Sequence, residues 1–439
     1  MPIHRKKFTT FLIALVILGS VLYLAGLAIG PRVSQASIDQ DSLWLQNIYL
    51  SPPFGISLNK DSYLYLLSAR NTKIVFGHEA VLQSRPLLSL IAHPLSRVLQ
   101  MMPMVSLPGA SALFNHLLPT YLVFVFINLA MLIGCYRLYA SMVLPRRQTT
   151  LEWSFGISVA PCAFVIGTLL IVNEITKAFF FAAHTQMFNL LVPMLALWVL
   201  LYLPAANIRY QTYVLSALLA GLGTLAYGAV MVIGAAIVLA RMHSYRSAKS
   251  TGVWSMMAEL LLLLAMLILP YFAWWLTVTL INGEFFNHDV KVWKHVVWMS
   301  SVFDNGLLWL LSSLASNLAF FLAATLHHLV TSIPLVVLLI LFSWPHRVAL
   351  KRAFNADISI VIAAAVIAIV FLVFFSLVGY RVTRLAMPVA VMAIVLYGVW
   401  AAHLEALLAE RQRQQLLSAV GAVMVINTVW TAAKEGPFY

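Results

Sequence analysis

Along most of this chain the apolar positions do not alternate with polar ones; they run on for the thickness of a bilayer. Stretches such as "FTTFLIALVILGSVLYLAGLAIG" (8–30) and "ISIVIAAAVIAIVFLVFFSLVGY" (358–380) exceed the ~20 residues a helix needs to cross ~30 Å of hydrocarbon. Lipid-exposed backbone must satisfy its own hydrogen bonds, so the runs predict helices. Further spans are expected near 117–142, 154–173, 187–204, 258–281, 325–343, 357–379, 386–405 and 415–432. The run at 213–240 is too long for one straight crossing, and Gly221, Gly223 and Gly228 weaken its centre.

Charge decides how that run is divided. Arg5, Lys6 and Lys7, then Arg146 and Arg147, Arg209, Arg241 to Lys249, Arg347 to Arg352, and Arg411 with Arg413 mark cytoplasmic ends. For Arg209 and Arg241 both to lie inside, residues 213–240 must form a hairpin of two short helices. The expectation is an all-α polytopic membrane protein of about 11 transmembrane helices, one transmembrane domain over 1–439, with the N terminus inside and the C terminus outside. The basic start "MPIHRKK" resembles a signal-peptide n-region, but the apolar run after it is long and lacks a clean A-x-A site, so it reads as a retained anchor.

Composition agrees: 62% of residues are hydrophobic and 9% charged, against about 25% charged in soluble domains. The net charge of +13 is then mostly topology rather than a nucleic-acid surface. Cys135 and Cys162 fall inside expected spans and form neither a disulfide framework nor a zinc pattern. There is no P-loop, G-x-G-x-x-G or G-x-S-x-G motif, which argues against a nucleotide site or a serine hydrolase.

This topology exposes residues 31–116 and 283–324 on the outer face. Both are amphipathic and aromatic, as "SLWLQNIYL", "RPLLSLIAHPLSRVLQ" and "VWKHVVWMSSVF" show, and suit helices lying in the headgroup plane. The first segment opens with Asp39 and Asp41. Ser37 and Gln40 fit a capping box, so the carboxylates could simply start a helix carrying Trp44, Leu45 and Ile48. Alternatively, one of them is held at the membrane surface as a base or metal ligand.

Outer-face cations supply the complementary chemistry. Arg381 and Arg384 in "GYRVTRLAMP" are spaced i, i+3 and sit against the positive-inside tendency, as expected of a phosphate site; Arg85, followed by Pro86, is a further candidate. The alternative is snorkelling toward anionic headgroups. In "NEITKAFFFAAHTQMFN", Glu174, Lys177 and His184 could converge with the first segment, Glu174 assisting the base or binding a metal, although Glu174 and Lys177 could equally pair with each other. His288, Asp289 and His295 lack a metal-site spacing, and His327 and His328 read as core or interface residues.

The layout of one span, a long external segment opening with an acidic motif, many further spans and external amphipathic helices resembles the GT-C superfamily of membrane glycosyltransferases. It is most similar to bacterial enzymes that use polyprenyl-phosphate sugars, such as aminoarabinose and arabinofuranosyl transferases. The resemblance implies an inverting transfer, at the periplasmic side of the inner membrane, from a polyprenyl-phosphate-linked sugar to a lipid A, glycan or protein acceptor such as pilin. It also implies that Asp39 or Asp41 is the base. The family's later loop motif is replaced here by "HEAVLQSRPLLSLIAHPL", with Glu79, Arg85, His93 and Pro94, leaving Glu79 as a donor or acceptor contact. No metal is assigned, no nucleic acid is expected, and cofactor use stays open. The rivals are a transporter or flippase of a lipid-linked substrate, which usually shows internal repeats, and an O-antigen ligase or polymerase, which places its main external loop late.

Overall fold

The structure is a computed structural model that describes residues 14–24, 46–51, 54–58, 60–77, 81–101, 112–143, 151–152, 158–204, 209–247, 252–292 and 294–435. Asp39, Asp41 and Glu79 lie outside the described residues. The fold is predominantly helical. Among the described residues, six stretches are long and apolar enough to cross a membrane: His116–Val143, Gly228–Tyr245, Val253–Asn282, Val297–Ala356, Ile358–Val378 and Thr383–Leu407. The chain is thus a helical, polytopic membrane protein.

The helices, in chain order, are α1 (Ala14–Leu24), α2 (Lys60–Arg70), α3 (Leu87–Gln100), α4 (Ala112–Val143), α5 (Pro161–Gly167), α6 (Glu174–Phe179), α7 (Phe188–Tyr202) and α8 (Tyr210–Thr224). They continue with α9 (Met231–Ser247), α10 (Val253–Asn282), α11 (His288–Lys291), α12 (Val302–Leu329), α13 (Ile333–Ser343), α14 (Arg347–Ala356), α15 (Ile358–Val378), α16 (Met387–Leu407) and α17 (Glu410–Glu435). The 213–240 run does break, at Leu225 to Tyr227 between α8 and α9, with a single turn at Gly228–Val230. Gly221 lets α8 approach α10: a Cβ there would collide with the Leu267 carbonyl oxygen beside Pro270.

One expected helix is corrected. "QNIYLS" forms strand β1 (Gln46–Ser51), paired antiparallel with β2 (Phe54–Leu58), with Gln46 opposite Leu58 and Ile48 opposite Ile56. Polar Gln46 and Asn47 followed by alternating Ile48 and Leu50 suit a short pleated ribbon as well as a helical stripe. A second, two-residue pairing joins Leu151–Glu152 to Ser158–Val159.

Two apolar clusters organise the bundle. The larger runs through α4, α5, α7, α8, α9, α15, α16 and α17, centred on residues such as Tyr139, Ile166, Leu197, Phe371 and Val395. The smaller seats α2 and α3 on the beginning of α4, through Tyr65, Leu66, Leu88, Ala92, Leu117 and Phe124. On α3 the face opposite this contact is apolar and exposed, at Ile91, Leu95 and Val98.

Residues 285–329 also fold against this end. Helix α12 is kinked near its start at Gly306, where φ is +81° and ψ 170°. Trp309 packs on Trp298, whose indole donates to the Leu377 carbonyl (2.9 Å); Asn317 donates to the Ser376 carbonyl (3.0 Å); His328 Nε2 meets the Thr383 carbonyl (2.9 Å). Phe321 of α12 also packs on Phe375 of α15 (ring centres 5.9 Å apart), and His328 meets Glu174 of α6, so α12 is fastened to the end of α15 and to α6. Its outer face is exposed and apolar at Phe303, Leu307, Leu311, Leu318, Leu322 and Leu326.

Candidate functional site

At the end of the bundle covered by α2, α3 and α12, a cavity of about 320 Å³ opens among five stretches far apart in sequence. Its architecture starts with an unwound segment. Between α6 and α7, residues 180–187 leave the helix while still buried, so their carbonyls need partners inside the protein. Asn128 of α4, fully buried, supplies them: its amide nitrogen donates to the carbonyls of Phe179 (3.0 Å), Phe180 (2.9 Å) and Ala182 (2.9 Å). Tyr121 donates to the Phe181 carbonyl at 2.8 Å. Irregular backbone among spans is tolerated where protein satisfies it and where it lines a cavity, and this segment presents His184 and Gln186 to the cavity.

Tyr227, in the break between α8 and α9, extends the same polar network. Its hydroxyl donates to Asn189 Oδ1 (2.6 Å), while Asn189 Nδ2 donates to Gln186 Oε1 (2.7 Å). Leu87 N–H bonds the Leu225 carbonyl (3.1 Å), which ties the start of α3, and with it Arg85, to the same break.

Arg85 forms a two-pronged ion pair with Asp289 of α11, its Nε donating to Oδ2 at 3.0 Å and its Nη2 to Oδ1. Burial by itself would lower the Arg85 pKa, but the Asp289 carboxylate reverses the sign and the net shift is upward, so the guanidinium stays charged. Gln83 fixes the approach of α11: the Phe286 N–H donates to Gln83 Oε1 at 2.8 Å, and the Gln83 carbonyl accepts from Trp274 Nε1 at 2.7 Å. His288 and His295 flank Asp289 at the cavity. The His295 pKa is lowered, first by burial and then by the cations Arg85 and His288, with Asp289 opposing.

Arg384 reaches the cavity from the turn between α15 and α16, its guanidinium 5.6 Å from the Phe179 ring centre. Its Nε has no hydrogen-bond partner among the described residues, and no carboxylate there pairs with it. Phe374, Phe375 and Val378 of α15, with Leu64 and Leu82, form an apolar wall beside these charges.

Of the residues expected from sequence, the structure brings Arg85, His184 and Arg384 together. Arg381 points elsewhere, donating to Asn317 Oδ1 (2.7 Å) and Ser316 Oγ (2.9 Å) of α12. The expected shared helical face does not form, because Arg381 lies in a tight turn (Val382 N–H to the Tyr380 carbonyl, 3.0 Å) and Val382 is extended before the turn Thr383–Ala386. Glu174 meets His328 (3.4 Å) at a separate cavity of about 40 Å³, and Lys177 lies on the same short helix α6 rather than at the larger cavity. Sequence reasoning missed Asp289, Tyr227, Gln186 and Tyr380 as cavity residues. An acid in an aromatic segment between apolar runs could have pointed to Asp289; the others carry no sequence signal.

Among the described residues, no three His, Cys, Asp or Glu side chains are grouped as a metal site. No family model, curated protein or solved structure matches the chain. The arrangement itself can hold an anion between two arginines and an alkyl chain against α15.

Proposed function

We propose that this chain is an inverting glycosyltransferase of the bacterial inner membrane, GT-C-like, with eleven crossings and its active site facing the periplasm. The donor is a polyprenyl-phosphate-linked sugar and the acceptor a hydroxyl of lipid A, a glycan or a secreted protein. The observation that carries this reading is the convergence of Arg85 and Arg384 on a cavity with an aromatic, apolar wall from α15. An isoprenoid phosphate has those two halves, an anion and a greasy tail, joined at one point.

In the reaction the acceptor oxygen bonds to the anomeric carbon as the bond from that carbon to the phosphate oxygen breaks. The electron pair leaves on the phosphate, where Arg384 and Arg85 stabilise it. The acceptor proton goes to a carboxylate, for which Asp39 or Asp41 stands as the candidate. Asp289 is poorly suited, because both of its oxygens are engaged by Arg85. The orientation is supported by charge: the basic clusters at Arg241, at Arg347 to Arg352 and at Arg413 lie at helix ends away from the cavity.

A flippase of lipid-linked substrates is the second reading, favoured by the unwound segment 180–187, since transporters also break helices at buried sites. The test is transfer of labelled sugar from a polyprenyl-phosphate donor to membrane or periplasmic extract, comparing wild type with Asp39→Asn, Asp41→Asn and Arg384→Ala at equal expression. Transfer by wild type that one Asn variant and Arg384→Ala abolish supports the glycosyltransferase. Full transfer by both Asn variants rules out Asp39 and Asp41 as the base. No transfer, together with movement of the lipid across vesicles, establishes the flippase instead.

A further inference from the structure

We propose that Asp289 holds the anion position of Arg85 until a phosphate-bearing ligand takes it over, so that the Arg85–Asp289 pair is exchanged on binding. This rests on the reading of the cavity as a lipid-phosphate site. A carboxylate and a phosphate offer a guanidinium the same two-oxygen edge, so one can replace the other without moving Arg85.

Three observations favour exchange over a permanent pair. Asp289 stands on α11, a single turn of four residues, whose N-terminus is capped by Asn287 through its side chain (Val290 N–H to Oδ1, 3.2 Å). Such a turn has little stability of its own. The backbone just beyond it is strained: Lys294 and Val296 both have positive φ, 55° and 63°, and for a β-branched residue such as Val296 that is an outlier. The Val296 N–H is held there by the Val378 carbonyl at 3.2 Å. Strain of this kind persists where surrounding contacts enforce it and is released when they change.

Second, Asp289 has an alternative site. His288 and His295 lie beside it at the cavity, and the electrostatic influence of Asp289 already reaches His295. A carboxylate displaced from Arg85 can therefore remain near cationic or hydrogen-bonding imidazoles, or turn to water, since its side chain is 19% exposed.

Third, the charge balance changes with exchange. With the pair closed, Arg384 is the cavity's arginine without a carboxylate partner among the described residues. With it open, two arginines face the ligand. A phosphate then gains two guanidinium contacts, whereas an uncharged lipid gains none and leaves the pair shut.

The test is equilibrium binding of a fluorescent short-chain polyprenyl phosphate, with the matching polyprenol as control, to the full chain in nanodiscs. Asp289→Asn should bind the phosphate more tightly, on the order of tenfold, and the polyprenol unchanged. Weaker or equal phosphate binding by Asp289→Asn, with wild type binding normally, overturns the exchange while leaving the site reading intact. No phosphate binding by wild type overturns both. Should Asp289→Asn fail to fold, hydrogen exchange on wild type decides. Saturating phosphate, but not polyprenol, should speed exchange of the Val290 and Lys291 amides, and added protection there would refute the proposal.

Discussion

Arg381 is clamped to Asn317: its Nε donates to Asn317 Oδ1 at 2.7 Å, while Asn317 Nδ2 donates in turn to the Ser376 carbonyl at 3.0 Å. This pair fastens α12 to the end of α15 and leaves Arg384 to face the cavity. A charge-assisted hydrogen bond is worth about 1.5–3 kcal/mol, so Arg381→Ala and Asn317→Ala should each lower thermal stability by a comparable amount, with little change in affinity for a lipid phosphate. Arg384→Ala should do the reverse, weakening phosphate binding at least tenfold with a near-normal melting temperature. Melting curves and binding measured on the same preparations separate the two behaviours.

Gly379 closes α15 with φ of +76°, and a Cβ there would run into the Trp298 indole. Trp298 uses that indole to reach the Leu377 carbonyl. Gly379→Ala therefore combines a left-handed backbone cost of about 1–2 kcal/mol with a displaced tryptophan and the loss of a hydrogen bond worth about 1 kcal/mol. Trp298→Phe in the same chain should recover part of the loss, and a double-mutant cycle of unfolding midpoints measures how much.

The contrast between these neighbours shows what the sequence could reveal. Long apolar runs, the break near Gly223 and the sidedness of basic residues are local signals, and the helices and the α8–α9 break follow from them. Arg85 was identifiable by the Pro86 that follows it, His184 as part of a polar cluster between two apolar runs, and Arg384 as a cation beside an apolar run. Arg381 carried the same signal, yet its partner is Asn317, a contact that depends on where α12 lies and has no trace in local pattern. Asp289 was hidden for the same reason, being paired with a residue 204 positions away. The β1–β2 ribbon was misread because six residues of mixed polarity fit two periodicities at once.

Stability should fall as pH drops through the range in which His295 titrates in the unfolded chain. Burial, Arg85 and His288 hold the folded pKa below the usual value near 6.5, against the pull of Asp289. The unfolded chain therefore takes up the proton first. The contribution of His295 is complete above about pH 6.5 and declines as pH falls from there toward the lowered folded value. Unfolding midpoints between neutral and mildly acidic pH should show this slope, and His295→Gln should flatten it without altering the neutral-pH cavity charge.

Asn128 links the bundle to the site more directly than any charged residue. One amide serves three carbonyls of the unwound segment, at Phe179, Phe180 and Ala182, and that segment carries His184 and Gln186 to the cavity. Side-chain hydrogen bonds between membrane helices average about 0.6 kcal/mol and reach about 1.7, so the two N–H groups shared among the three carbonyls amount to roughly 1–3 kcal/mol. Asn128→Leu, which keeps the branch at Cγ but is larger, should cost at least that much, since no other donor replaces the amide and the site is fully buried. It should also blunt phosphate binding, because the freed carbonyls will seek partners by rewinding or shifting residues 180–187. Asn189→Ala removes one side-chain link between Gln186 and Tyr227 but leaves the carbonyl clamp, and should cost well under half as much. If Asn128→Leu instead keeps wild-type stability and phosphate affinity, the unwound segment holds its own shape and the clamp has no part in building the site.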